Sequence, residues 1–159
     1  MNTEAYKKTK EKALWLLSRR DYSKKELIKK LSDISDEMCA ADAAERMEEL
    51  GLINDEKFAQ RYAEKLSAAK YLSDKSILYK LLEKGIDREL AEEIIENLDI
   101  DSLNQIKSII KKKYIKYLDD EKGVKKTISA LLRLGHTWED IKKAMEEIEE
   151  IEEDQEDEI

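Results

Sequence analysis

The sequence predicts an all-α chain of three tandem three-helix repeats, forming an elongated, curved helical array. Three observations carry that expectation. The 159 residues include no proline and only four glycines, while the abundant Lys, Glu, Leu and Ala lose little rotamer freedom on a helix. Apolar residues recur at helical spacing along most of the chain. The pattern also repeats: Ser23, Leu27 and Leu31 stand fifty residues before Ser73, Ile77 and Leu81, and these stand fifty before Gly123, Thr127 and Leu131. Gly85 and Gly135 keep the same offset, as do Asp87 and Thr137. A period of this length marks stacked helical units, and units that touch mainly their neighbours build extended, curved arrays.

The first repeat is expected over residues 1–51. Its opening helix carries Ala13, Leu14, Leu16 and Leu17 on the core side. Ser23-Lys24-Lys25-Glu26 starts the second helix, because a capping Ser and a Glu three positions on satisfy each other's orphan backbone donors. Leu27, Ile28 and Leu31 form its stripe. The third helix begins near Ser35, buries Ala40, Ala43, Ala44, Met47 and Leu50, and stops at Gly51.

The second repeat, 52–99, opens with Asn54-Asp55-Glu56, a cap followed by two acids that suit the helix dipole. Phe58, Ala59, Tyr62, Ala63 and Leu66 then share one face. Ser73 starts the middle helix, with Ile77, Leu78, Leu81 and Leu82 inward, and Gly85 ends it. Asp87 caps a helix facing inward through Leu90, Ala91, Ile94, Ile95 and Leu98. The third repeat, 100–150, has Leu103, Ile106, Ile110, Tyr114 and Tyr117 on its first helix. Gly123 and Gly135 bracket the second, around Ile128, Leu131 and Leu132. Thr137 caps the last, which buries Ile141, Ala144, Met145 and Ile148. Residues 151–159 form an acidic tail. All four glycines are expected at helix boundaries.

Charge is unevenly distributed. Ten acids and no base lie in residues 146–158, so without that run the formal charge of −8 becomes +2. So dense a block of like charge is expected to be solvated and frayed. The body offers no strongly basic face of the kind a duplex-DNA reader uses. The single cysteine, Cys39, excludes an intrachain disulfide and is expected to be a buried, inert thiol. The single histidine, His136, excludes a histidine-rich metal site and reads as a turn residue. Trp15 and Trp138 read as packing residues. No phosphate-binding glycine loop or nucleophile elbow is present, so no enzyme, cofactor or metal is expected. Without an apolar run long enough for a membrane span, or an apolar leader, a cytoplasmic monomer is expected.

Three stretches resemble the RecX family. They are Arg20-Asp21-Tyr22-Ser23 with Glu26-Leu27 and Lys30-Leu31; Leu50-Gly51-Leu52-Ile53-Asn54-Asp55-Glu56 with Phe58-Ala59 and Tyr62; and Ile77, Leu81 and Lys84-Gly85-Ile86. The junction around Gly51 is the most specific. The chain departs from the family where Ser73, Asp74 and Ser76 stand in place of a common Gly-Pro pair and a further basic residue. Lys65 likewise stands where arginine is common. The resemblance implies three tandem three-helix units and a negative modulator of RecA. Such a protein binds the groove of the RecA–single-stranded DNA filament and lowers its ATPase and strand-exchange activity.

Candidate contacts with that partner are basic residues lying off the apolar stripes: Arg20, Lys24, Lys65, Lys75 and Lys80. A denser patch, Lys107, Lys111, Lys112, Lys113 and Lys116, is interleaved with Tyr114 and Tyr117. Lysine with aromatic residues suits weak contact with single strands, although Tyr114 also fits the core stripe, and the lysines could instead pair with the acidic tail. The competing readings are a helix-turn-helix-like DNA-binding protein and a general helical adaptor.

Overall fold

The structure, a computed structural model, describes residues 3–157. Glu158 of the acidic run, and Met1 and Asn2 of the opening segment, lie outside the described residues. The described chain forms three successive sets of three helices, with no strand among its residues. The first set is α1 (Thr3–Arg19), α2 (Lys24–Leu31) and α3 (Glu37–Glu49). The second is α4 (Asp55–Ala68), α5 (Asp74–Glu83) and α6 (Arg88–Leu98). The third is α7 (Ser102–Ile109), α8 (Glu121–Arg133) and α9 (Trp138–Asp157). By packing the chain divides into two compact units, residues 1–64 with 78–94 and residues 65–77 with 95–159.

In the first unit α3 packs on both α1 and α2. Ala40, Ala43 and Ala44 make this possible, since three fully buried small side chains on one face let helices approach closely. Leu27, Leu31 and Met47 fill the space around them. The capping box reads as expected: Glu26 N donates to Ser23 Oγ over 3.2 Å and Ser23 N donates to the Glu26 carboxylate over 3.3 Å. Asn54 caps α4 by accepting from Lys57 N at 3.1 Å.

In the second unit α9 packs on α7, around Ile106, Ile109, Ile110, Leu131, Ile141, Ala144 and Ile148. Helix α7 does not end cleanly. A π-helical turn, Ile110–Tyr114, and a 3-10 turn, Ile115–Tyr117, prolong it. Ile109 and Ile110 are adjacent in sequence yet both fully buried. A regular helix would turn the second about 100° away from the first, and the wide π turn absorbs that mismatch.

Several expectations are corrected. Leu14, Leu50 and Leu132 are exposed, because the buried stripes run through Thr9-Ala13-Leu16, through Ala43-Met47, and through Thr127-Leu131. Trp15 and Trp138 stand half out of the protein; Trp15 lies across α1 from its stripe and Trp138 precedes the first buried residue of α9. Gly123 lies inside the first turn of α8, whose cap is Asp120, and a Cβ there would collide with the Tyr117 carbonyl. The acidic run is not frayed: α9 continues through it to Asp157. Glu is a strong helix former, and each like-charge neighbour four residues away costs only about 0.2–0.5 kcal/mol.

Candidate functional site

The stretches that carry the family resemblance meet inside the first unit, and what they build is a joint. Ser23 Oγ donates to the Lys84 carbonyl at 2.7 Å, and Lys24 N donates to the Asp55 carboxylate at 2.8 Å. The Gly85 backbone lies so close on the Lys25 side chain that a Cβ would have no room. Glu26 sits at the centre. Besides the Ser23 backbone it receives Lys84 Nζ at 2.9 Å and Arg20 at 3.3 Å. Burial alone would raise its pKa, but the hydrogen bonds from Lys84 and Ser23, the Lys84 charge and the Arg20 contact together hold it below the ordinary carboxylate range. Lys84 was legible only as part of a motif; its partnership with Glu26 spans 58 residues, and nothing at the matching third-repeat position, Leu134, signals it.

The same joint recurs fifty residues on, inside the second unit, with different side chains. Ser73 N donates to the Leu134 carbonyl at 3.0 Å, and Ser73 Oγ caps α5 through Ser76 N at 3.2 Å. Gly135 takes the place of Gly85 and lies against the hydroxyls of Ser73 and Ser76. The Tyr71 carbonyl, on a residue held in the left-handed region at φ 58°, accepts from His136 Nε2 at 3.0 Å. Gln105 Nε2 donates to the Leu72 carbonyl at 3.3 Å. Because a carbonyl can only accept, the His136 proton is on Nε2 and its Nδ1 carries a lone pair. That atom, Asp74 Oδ1 and Gln105 Oε1 are buried without a hydrogen-bond partner among the described residues. Burial lowers the His136 pKa against the opposing pull of the Tyr71 carbonyl and the Asp140 and Asp74 charges. Burial likewise raises that of Asp74, against the His136 charge.

These joints sort the candidate basic residues. Arg20 and Lys24 are engaged: Arg20 lies over the Tyr22 ring at 3.6 Å and pairs with Glu26, and Lys24 pairs with Glu48 at 3.2 Å. Lys80 is exposed and only loosely paired, at 3.8 Å from Glu83. Lys65, Lys75 and Lys111 are exposed and have no ion pair among the described residues. Lys112 and Lys113 lie over the Tyr71 ring at 5.7 and 5.3 Å. Lys116 and Lys126 lie over Tyr117 at 5.2 and 4.7 Å. Lys107 pairs with Glu147 of α9, which precedes the tail of residues 151–159; among the described residues no lysine of 107–116 forms an ion pair with that tail. Tyr114 is half-buried against the second core.

Cys39 is buried beside the Thr9 hydroxyl at 3.5 Å. Among the described residues no three His, Cys, Asp or Glu side chains gather as a metal ion would need. No helix among them is long and apolar enough to cross a membrane.

Residues 54–95 match the family described as RecX, second three-helix domain. A regulatory protein RecX of Chlorobium phaeobacteroides is 31% identical over 143 residues, covering 89% of this chain and 94% of the relative. One of Clostridioides difficile is 29% identical over 151 residues, covering 93% of this chain and 71% of the relative. The crystal structure of RecX from Lactobacillus salivarius superposes with a TM-score of 0.73 at 25% identity, covering 92% of this chain and 98% of that one. A second RecX crystal structure, 18% identical, shares the fold with a TM-score of 0.72.

Proposed function

The chain belongs to the RecX family of regulatory proteins, and from that premise we propose that it is a negative modulator of the RecA recombinase. In this reading it binds in the groove of the RecA–single-stranded DNA filament and inhibits ATP hydrolysis and strand exchange. The observation that carries the proposal is the match along almost the whole chain to proteins named regulatory protein RecX. The helical repeats add physical support. A filament repeats its surface, and a protein of repeated units can engage several protomers at once. Each contact after the first is then intramolecular, so weak contacts add up to useful avidity. Bridged protomers would resist the relative motion of an ATPase cycle.

What supports a lysine-based partner surface is that Lys65, Lys75 and Lys111 are exposed with no ion pair among the described residues. Lys65, Lys75, Lys80, Lys111 and Lys112 supply the contacts in this proposal, whereas Arg20 and Lys24 act through the joint that shapes the first unit. The test is RecA ATPase on single-stranded DNA with the protein at substoichiometric ratio. Inhibition is expected, with Lys75→Glu and Lys111→Glu each weakening it. Unchanged ATP turnover at saturating protein refutes the proposal, and tight duplex binding with no effect on RecA would favour the helix-turn-helix reading.

A further inference from the structure

We propose that a groove beside the C-terminal half of α9 is a socket for helix α1 of a second copy of this chain. The proposal goes beyond the recombinase reading and stands independently of it. The floor of the groove is apolar, made by Ile115, Leu118, Val124, Met145 and Ile148. Its remaining lining residues are Asp119, Glu149 and Glu152, three acids with no base among them. The 3-10 turn that follows the π segment brings Ile115 to the edge of this floor, 39% exposed. On α9 the apolar stripe Ile141, Ala144, Ile148 continues to Ile151, which is 43% exposed and flanked by acids. The stripe therefore outruns the packing that its own unit provides.

The complementary surface is on α1. Its stripe Thr9, Ala13 and Leu16 faces the core, while Leu14 and Trp15 stand 46% and 51% exposed on the other side. Cations surround the indole: Lys12 Nζ is 4.3 Å from its centroid and the Arg19 guanidinium 5.2 Å. Lys8 lies one helical repeat ahead on the same side. An exposed tryptophan ringed by cations is a knob whose apolar area and charge both match an apolar floor with an acidic rim. Such aromatic anchors carry much of the energy of protein contacts, and opposite charge at the rim adds to orientation and on-rate. The two surfaces differ, so the contact is heterologous, one copy offering α1 and the next its groove.

Sedimentation velocity over a concentration series tests this with the intact chain. Association is expected at about 50 mM salt and should weaken about tenfold or more at about 500 mM, where charges are screened within a few ångströms. Glu149→Lys with Glu152→Lys should abolish it, and so should Lys8→Glu with Lys12→Glu. Mixing these two reversed proteins should restore a complex, each supplying the intact charge relation that the other lacks. Trp15→Ala should weaken association about tenfold. Lys8, Trp15, Glu149 and Glu152 are exposed in α1 or α9 and Lys12 is partly so, and an unchanged helical signal by circular dichroism confirms each variant as folded. A chain that stays monomeric up to about 1 mM at low salt overturns the proposal. So does association that survives both charge reversals, or reversed proteins that fail to pair on mixing.

Discussion

Replacing Gly135 by alanine should cost more than replacing Gly51, and the difference measures the joint. Both glycines end a helix in the left-handed region, at φ 95° and 76°. An alanine at either site pays the steric penalty of that conformation, about 1–2 kcal/mol. At Gly51 nothing lies within 4 Å of the new Cβ, so the penalty ends there. At Gly135 the Cβ meets the hydroxyls of Ser73 and Ser76. The Ser73 hydroxyl cannot swing aside without leaving Ser76 N, which it caps at 3.2 Å, and a lost cap costs about 1 kcal/mol. Gly135→Ala should therefore destabilise by about 2–3 kcal/mol and Gly51→Ala by about 1–2 kcal/mol. In a chain of this size the gap of about 1 kcal/mol appears as about 2–4 °C in melting temperature. Urea denaturation and thermal melts followed by circular dichroism read both variants, and adding Ser76→Ala to Gly135→Ala should recover part of the loss. Equal destabilisation by the two glycine substitutions would refute the claim that the Gly135 turn is a packed joint.

Three further outcomes are expected. Glu26→Ala removes a capping-box acceptor and the shared partner of Lys84 and Arg20, and should cost about 2–3 kcal/mol in chemical denaturation; Glu26→Gln, which keeps the backbone acceptor, should cost less, and equal losses would argue against the ion pair. Because burial holds the His136 pKa below its ordinary 6.5, the unfolded chain takes up a proton that the folded chain resists. Stability should then fall as pH drops through 6.5 and flatten once the folded ring also titrates, and a His136→Gln variant that kept the full slope would place its origin elsewhere. Deleting residues 149–159 should strengthen binding of a single-stranded oligonucleotide at low salt, because it removes negative charge that repels phosphates and competes for the lysines of residues 107–116; identical affinities by fluorescence anisotropy would mean that this run does not compete for those lysines.

How much of this was legible in the sequence differs by feature. Helix starts were legible where a cap is local: Ser23 with Glu26, Asn54 with Lys57 and Thr137 with Asp140 each lie within one turn. The buried stripes were legible wherever apolar residues kept the helical period, as at Ile141, Ala144 and Ile148. The π turn was not read, although adjacent Ile109 and Ile110 left one apolar residue too many for a single stripe. Exposed Leu14, Leu50 and Leu132 misled because hydrophobicity states what a residue prefers, whereas the facing helix decides what it receives. At the candidate partner surface, sequence placed Arg20 and Lys24 on the same footing as Lys65, Lys75 and Lys80. Structure separates Arg20 and Lys24 through Glu26 and Glu48, acids that no local spacing ties to them uniquely.

Each joint is also a timing device. Ser23 lies 61 residues before the carbonyl it binds, and Ser73 finds its partner only at Leu134. A ribosome adding about 5–20 residues per second leaves the opening helices waiting several seconds before the strand of chain that fastens them has even been made. During that interval the Ser23 hydroxyl lacks the carbonyl that it later meets. The two bonds can therefore close only after their later partners exist, the second not before Leu134, at the end of α8, has been made.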